Sequence, residues 1–361
     1  MKPRQYFLAI AAASLAFAPV ACKKKAGAPD VYVLGAKGTG EERDEGEVAK
    51  PALWKNGVEV PLGMDVDAYV HSAFVSGKDV YIVGYVRLPS ESDDDRGTFQ
   101  PTVWKNGVAQ TLGATGSAES IFVSGGDVYV AGAETNEKGA RMATLWKNGA
   151  AQPLGAAGGA GNGSSIFVSG TDVYMAGQSF GKQDEPYVAT LWKNGAAQRL
   201  GDGKYNSGAG SVFVSGSDVY VAGFEAVMVG SERGLAATLW VNGAAQRLGD
   251  GKGSSEAHYV SVSGKDVYVA GYEDNGQGDS VATLWKNGVA QHYESVPIPR
   301  SQCVASVYGG DSYWAGSKED EQGGSMATLW KNGEAQPLGD GKANTWAYSV
   351  FVVGGREAAK L

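Results

Sequence analysis

Along most of this chain, apolar and polar residues alternate in short runs, each closed by glycine or asparagine. One stretch shows the pattern. Ser165-Ile166-Phe167-Val168-Ser169 leads to Gly170-Thr171, and Asp172-Val173-Tyr174-Met175-Ala176-Gly177 follows. After a variable segment come Ala189-Thr190-Leu191-Trp192-Lys193, Asn194-Gly195 and Ala196-Ala197-Gln198. Runs rich in β-branched and aromatic residues, bounded by turn formers, predict strands. No window keeps an amphipathic helical period over a helix length, so the chain is predicted to be all-β. Gly at the first position of a two-residue turn suits a type II′ hairpin, and Asn-Gly suits type I′. Those turns fix a register that sets Trp146 opposite Ala151, Trp192 opposite Ala197 and Trp285 opposite Ala290. A large ring over a small partner is a favourable cross-strand pair.

The pattern repeats. Trp-Lys-Asn-Gly begins at Trp54, Trp104, Trp146, Trp192, Trp285 and Trp330, with Trp-Val-Asn-Gly at Trp240. Asp-Val-Tyr or a variant begins at Asp30, Asp79, Asp127, Asp172, Asp218, Asp266 and Asp311. Each signature occurs seven times at 42 to 50 residue spacing, the period of a four-stranded propeller blade. We label the strands of a blade a to d and number the blades from Trp54. The first unit starts at strand b (Asp30 to Gly35), and the last runs on into an extra strand a, Ser349-Val350-Phe351-Val352. The C-terminal strand is therefore expected to pair with Val31–Leu34, complete the first blade and leave no free edge. The tryptophan column reads as packing. Trp314 stands where other blades carry Val130, Met175 or Val221, opposite Ala305 where others carry Ile or Val, a compensation of volume. The strands ending in Ala-Gly, within aromatic-bearing blades, resemble the kelch and WD40-like propellers over residues 30–355. Gly-Gly does not stand where Ala131-Gly132 does, and no Trp-Asp pair appears, so the resemblance implies architecture and no activity.

The N-terminus breaks the pattern. Lys2 and Arg4 precede an apolar run from Phe7 to Ala18, then Pro19-Val20-Ala21-Cys22. This reads as a secretory signal over residues 1–21, too short for a spanning helix. A small residue before Cys22 resembles a bacterial lipobox, with Pro19 where an aliphatic usually stands. With that segment the chain resembles repeat-built propeller lipoproteins of the bacterial envelope. The resemblance implies a lipid on Cys22, a linker over 22–29, the propeller over 30–355, a tail over 356–361 and a place on the periplasmic or surface side. Cys303 is the only other cysteine and reads as a small core residue. Gly is abundant, at 54 of 361 residues, and the formal charge is −8, which argues against a nucleic-acid partner. A monomer is expected.

Positions that differ among blades are where function can reside. In a four-stranded meander the a–b and c–d turns share one side, and the b–c and d–a connections share the other. The first side carries minimal turns with Lys55, Lys105, Lys147, Lys193, Lys286 and Lys331, expected to keep the rim soluble. The b–c connections hold 21 of the 39 acidic residues, among them Asp93-Asp94-Asp95. Such a face would attract a cationic partner. Two columns near the start of strand a vary most. One reads Tyr69, Ser117, Asn162, Gly208, Glu256, Ser301 and Trp346. The other reads His71, Glu119, Ser164, Gly210, His258, Cys303 and Tyr348. From them the candidate ligand-binding residues are Trp346, Tyr348, His71, His258, Glu119 and Tyr69.

Contiguous catalytic motifs are absent. The three histidines form no His-Glu-x-x-His, and there is no Gly-x-Ser-x-Gly elbow, phosphate loop or sialidase Asp box. The run Asp274 to Asp279 is oxygen-rich enough for Ca²⁺ but lacks the distal bidentate glutamate, so no cofactor is expected, Ca²⁺ being the only candidate. The sequence points to a non-catalytic binding or scaffold lipoprotein whose partner is a protein, peptide or glycan. The alternative is a carbohydrate-active hydrolase or lyase with carboxylates at the channel mouth.

Overall fold

The computed structural model describes residues 28–43, 46–64, 68–88, 98–154, 160–181, 185–229, 232–249, 253–275, 279–293, 296, 304–319 and 324–354. Cys22, Cys303, Ser301 and Asp93-Asp94-Asp95 lie outside them. Seven four-stranded antiparallel sheets form a seven-bladed β-propeller, each in the order a-b-c-d. Blade 4 serves as the type: Gly161–Ser169, Asp172–Ser179, Val188–Lys193 and Ala196–Arg199. The a strands surround a central channel and the d strands are exposed at the rim.

Ring closure follows the chain. Thr345–Val353 supplies strand a of blade 1 and pairs Val352 with Val31, Phe351 with Tyr32, Val350 with Val33 and Ser349 with Leu34. The register of strands c and d is also as expected: Trp146 faces Ala151, Trp192 faces Ala197 and Trp285 faces Ala290. Trp314 lies opposite Ala305 on one side and Trp330 on the other. Seven apolar clusters fill the seams between neighbouring blades. In one, Tyr129 and Leu145 of blade 3 pack on Ile166 and Trp192 of blade 4. Two b–c hairpins run further than the sequence suggested. In blade 1, Asp30–Arg43 pairs with Gly46–Lys55; in blade 5, Asp218–Val229 pairs with Glu232–Val241. There the residues up to Arg43 and Val229 continue the ladder with strand c.

The two signatures prove to be one tertiary unit. Every c–d turn puts Asn at φ of 50–52° and Gly at 81–88°, the left-handed pair of a type I′ turn. In blade 4, Asn194 Oδ1 accepts from the Val173 amide at 2.8 Å while its Nδ2 donates to Asp172 Oδ1 at 2.8 Å. The other carboxylate oxygen of Asp172 holds Lys193 Nζ at 2.8 Å, and that ammonium sits 5.2 Å above the Tyr174 ring. Asp, Tyr, Lys and Asn thus lock strand b to the c–d corner through an ion pair and a cation–π contact. The six lysines are corner pieces as well as rim charges. Blade 5 has Val241 in their place, and there Asn242 keeps its bonds to the Val219 amide and to Asp218 without the ammonium.

Candidate functional site

The varying column is built by a backbone irregularity. In strand a of blades 2 to 6 the pairing with strand b skips one residue: His71, Glu119, Ser164, Gly210 and His258 in turn. In blade 1 the skipped residue is Tyr348. Each is the extra residue of a β-bulge, a device that re-aims a side chain out of the sheet's alternation. The bulge explains the glycine that recurs within strand b of blades 1 to 6. A Cβ on Gly84 or Gly177 would collide with the carbonyl oxygen of Tyr69 or Asn162, so only glycine lets the bulged strand approach.

These residues face one cavity of about 920 Å³ at the mouth of the channel, on the side of the b–c and d–a connections. Its wall includes Tyr69, His71, Glu119, His258 and Tyr348 of the sequence candidates. Trp346 pairs with Ala36 beside the mouth, half-buried, and is not part of that wall. Deeper in the channel, serine hydroxyls bind across the seams. Ser120, Ser165 and Ser211 accept from the amides of Ile166, Val212 and Val260 of the next blade at 3.2–3.3 Å, which satisfies the otherwise open inner edge.

The mouth has two unlike halves. On blades 1 to 3, His71 Nδ1 lies 2.7 Å from Glu119 Oε2 and 3.2 Å from the Ala118 carbonyl. Ser117 Oγ donates to Glu119 Oε1 at 2.5 Å. Arg141 Nη2 donates to Ser117 Oγ at 2.5 Å, to Asn162 Oδ1 at 3.2 Å and to Glu119 Oε1 at 3.5 Å. Burial alone would lower the His71 pKa; the hydrogen bond and charge of Glu119 outweigh it and raise it above the usual value. Burial acts on Glu119 in the opposite sense, and His71, Ser117 and Arg141 together hold it below the usual carboxylate range. Both shifts describe the same ion pair. Beside it, Tyr69 stacks on Tyr85 with centroids 5.0 Å apart, and Tyr85 meets His71 and Phe99 edge-on. Burial, with Tyr69 and Tyr85 nearby, pushes Tyr348 up to about 12.

On blade 6, by contrast, burial pushes His258 down to about 4. Its Nε2 is buried without a hydrogen bond, 3.9 Å from Glu256 Oε2, which accepts from Tyr272 OH at 3.0 Å. Burial also raises Glu256. In both groups desolvation disfavours the charged form. Among the described residues no three His, Cys, Asp or Glu side chains gather as a metal site. Arg141, Tyr85, Phe99 and Tyr272 were not candidates from sequence. They sit on strands b and c, and only the pairing of strands brings them to the mouth.

No family model matches the chain, and no curated protein does. Solved propellers do. The puromycin-hydrolysing peptidase of Mycobacterium tuberculosis is similar at 13% identity and a TM-score of 0.53, covering 86% of this chain and 51% of that one. TolB of Acinetobacter baumannii is similar at 10% identity and 0.47, covering 88% and 83%. The acylaminoacyl peptidase of Pyrococcus horikoshii gives 14% and 0.47, covering 76% and 46%. This chain spans about half the length of those two peptidases. At such identities the likeness concerns the fold alone.

Proposed function

We propose that the chain is a non-catalytic binding protein of the bacterial cell envelope, anchored by a lipid on Cys22, that takes its ligand at the loop-side mouth of the channel. One observation carries this reading. The position that differs from blade to blade is the bulge residue, and these residues converge on one cavity while the opposite corners repeat. Non-equivalent groups gathered on a rigid scaffold are what selective binding requires. The kelch and WD40-like resemblance contributes architecture to this reading and nothing more.

A hydrolase or lyase would need two free carboxylates at the mouth. Glu119 is engaged by His71, Ser117 and Arg141, and Glu256 by Tyr272, so both act in our reading as positioning groups. The test is site-specific photocrosslinking in the native envelope. A crosslinker at position 69 or 348 is expected to capture the ligand, and one at 147 or 193, on the opposite corners, to capture nothing. The reverse pattern would reject the mouth as the working face. Cys22→Ala is expected to move the protein from the membrane to the soluble fraction. Retention in the membrane would reject the anchor.

A further inference from the structure

The chemistry of the mouth narrows the class of ligand, on the reading that the mouth is the binding site. Tyr69 is 45% exposed, an unusual state for a large ring at the inner wall of a channel. One face of its ring lies on Tyr85 at an interplanar angle of 25°, leaving the other face toward the cavity. Tyr85 is braced in turn by Phe99 at 4.9 Å, so the platform is rigid before any ligand arrives.

Around that platform stand hydrogen-bonding groups that are already oriented. Glu119 fixes His71 through Nδ1, and His71 Nε2, in a side chain 30% exposed, has no hydrogen bond to a described residue. Arg141 holds Asn162 through its Oδ1, which leaves the amide nitrogen as donor. Ser164, the bulge residue of blade 4, adds a hydroxyl to the same wall. Donors held in place by second partners lose little freedom on binding.

Charge then discriminates between ligands. Among the described residues of the cavity wall and its support, a cation would find no unengaged carboxylate, because Glu119 is shared by His71 and Arg141 and Glu256 is bonded to Tyr272. An anion would have to compete with Glu119 for the same two cations. Across the mouth, burial disfavours the charged forms of both His258 and Glu256. The site suits a neutral molecule with one apolar face and an edge of hydroxyls, the description of a pyranose ring. Ring C–H groups carry slight positive charge and pack on the negative face of an aromatic ring. Space supports a chain of such rings. The bulge positions of blades 4 and 5 hold only Ser164 and Gly210, and a Cβ on Gly210 would meet nothing nearer than 3.4 Å.

We propose that the blade 1 to 4 side of the mouth is a saccharide subsite, in which one neutral sugar ring stacks on Tyr69 and the oligosaccharide that carries it is hydrogen-bonded by His71 Nε2, Asn162 and Ser164.

The experiment is calorimetric titration of the full chain, in detergent, with soluble neutral hexasaccharides of the cello, malto, chito and β-1,3-glucan series. At least one series is expected to bind. Tyr69→Ala should weaken that binding about tenfold or more, Tyr69→Phe should retain it, and His71→Gln should weaken it several-fold. Circular dichroism and melting would show each variant folded. No binding by any series, or binding indifferent to Tyr69→Ala, overturns the proposal. Aromatic and basic hexapeptides run in parallel separate the two readings. Peptide binding lost in Tyr69→Ala, with no sugar bound, rejects the saccharide while leaving the mouth as the site. Photocrosslinking confined to positions 147 and 193 rejects both.

Discussion

His71 and Glu119 belong to neighbouring blades, and their side chains meet across the seam with Nδ1 and Oε2 2.7 Å apart. The contact joins the bulges of blades 2 and 3, so it reports on the mouth and on the seam together. The raised pKa of His71 contributes stability that is present below the ordinary imidazole value and lost as pH rises through the folded value. The lowered pKa of Glu119 contributes stability present above the ordinary carboxylate value and lost as pH falls through the folded value. The pair is fully stabilising between the two ordinary values, 4.5 and 6.5. Melting curves of the wild type and Glu119→Gln should differ most in that window and converge on either side. In the variant, burial acts on His71 with little to oppose it, so its titration by NMR should move below the usual value.

His258 has the opposite sign. Its folded pKa of about 4 lies under the ordinary 6.5, so below pH 6.5 the unfolded chain takes up a proton that the folded protein refuses. Stability should fall from pH 6.5 to about 4 through this one group, by roughly 3 kcal/mol at 1.36 kcal/mol per pH unit. Urea unfolding of His258→Phe should show a shallower acid decline than the wild type. An equally steep decline would place the acid sensitivity elsewhere.

The architecture was legible because each level of the sequence agreed with the next. Asn-Gly turns, Trp-over-Ala pairs, a constant period and a divided first blade all demand the same ring. The bulge was also written there, though less plainly. Inward positions of a strand normally recur every second residue, yet Ala118 and Ile121 are both buried with Glu119 and Ser120 between them. That spacing of three marks the inserted residue, and comparing blades picked out the column it creates. Arg141 and Tyr85 left no such mark. Arg141 lies in a variable segment and reaches Glu119, two strands away in the same blade, only because strand c pairs with strand b and strand b with strand a. The corner lysines illustrate a different loss. Read one at a time they are surface charges, and their partnership with the Asp-Val-Tyr signature exists only after folding.

Blade 5 offers an internal control for that partnership. Asp218 and Tyr220 keep their places, but Val241 supplies no ammonium. In the other six blades the hydrogen bond to the aspartate, or to the tyrosine in blade 1, is the largest influence on the corner lysine and raises its pKa. Val241→Lys is expected to complete the seventh corner. NMR should show the new ammonium against the Asp218 carboxylate and the Tyr220 ring, with a small rise in melting temperature. High salt should remove most of that rise, because the corner is exposed.

The glycine of strand b that faces the bulge links stability to the site. Gly84 faces the bulge that carries His71, and Gly177 faces the bulge that carries Ser164. A Cβ at either position would collide with the carbonyl oxygen of the bulged strand, Tyr69 in one case and Asn162 in the other. That oxygen is backbone, so relief requires moving the strand and everything it aims at the cavity. Both Gly84→Ala and Gly177→Ala should lower stability by about 1–3 kcal/mol, the usual cost of forcing an extra carbon into a packed region. Their effects on the mouth should differ. Gly84→Ala displaces Tyr69 and the adjoining His71, which loosens the contact with Glu119 and should return the His71 titration toward its ordinary value. Gly177→Ala shifts Asn162 and Ser164 on the next seam and should leave that titration within error of the wild type. A His71 titration unchanged in Gly84→Ala would mean that the bulge is held by the seam between blades and not by its pairing with strand b.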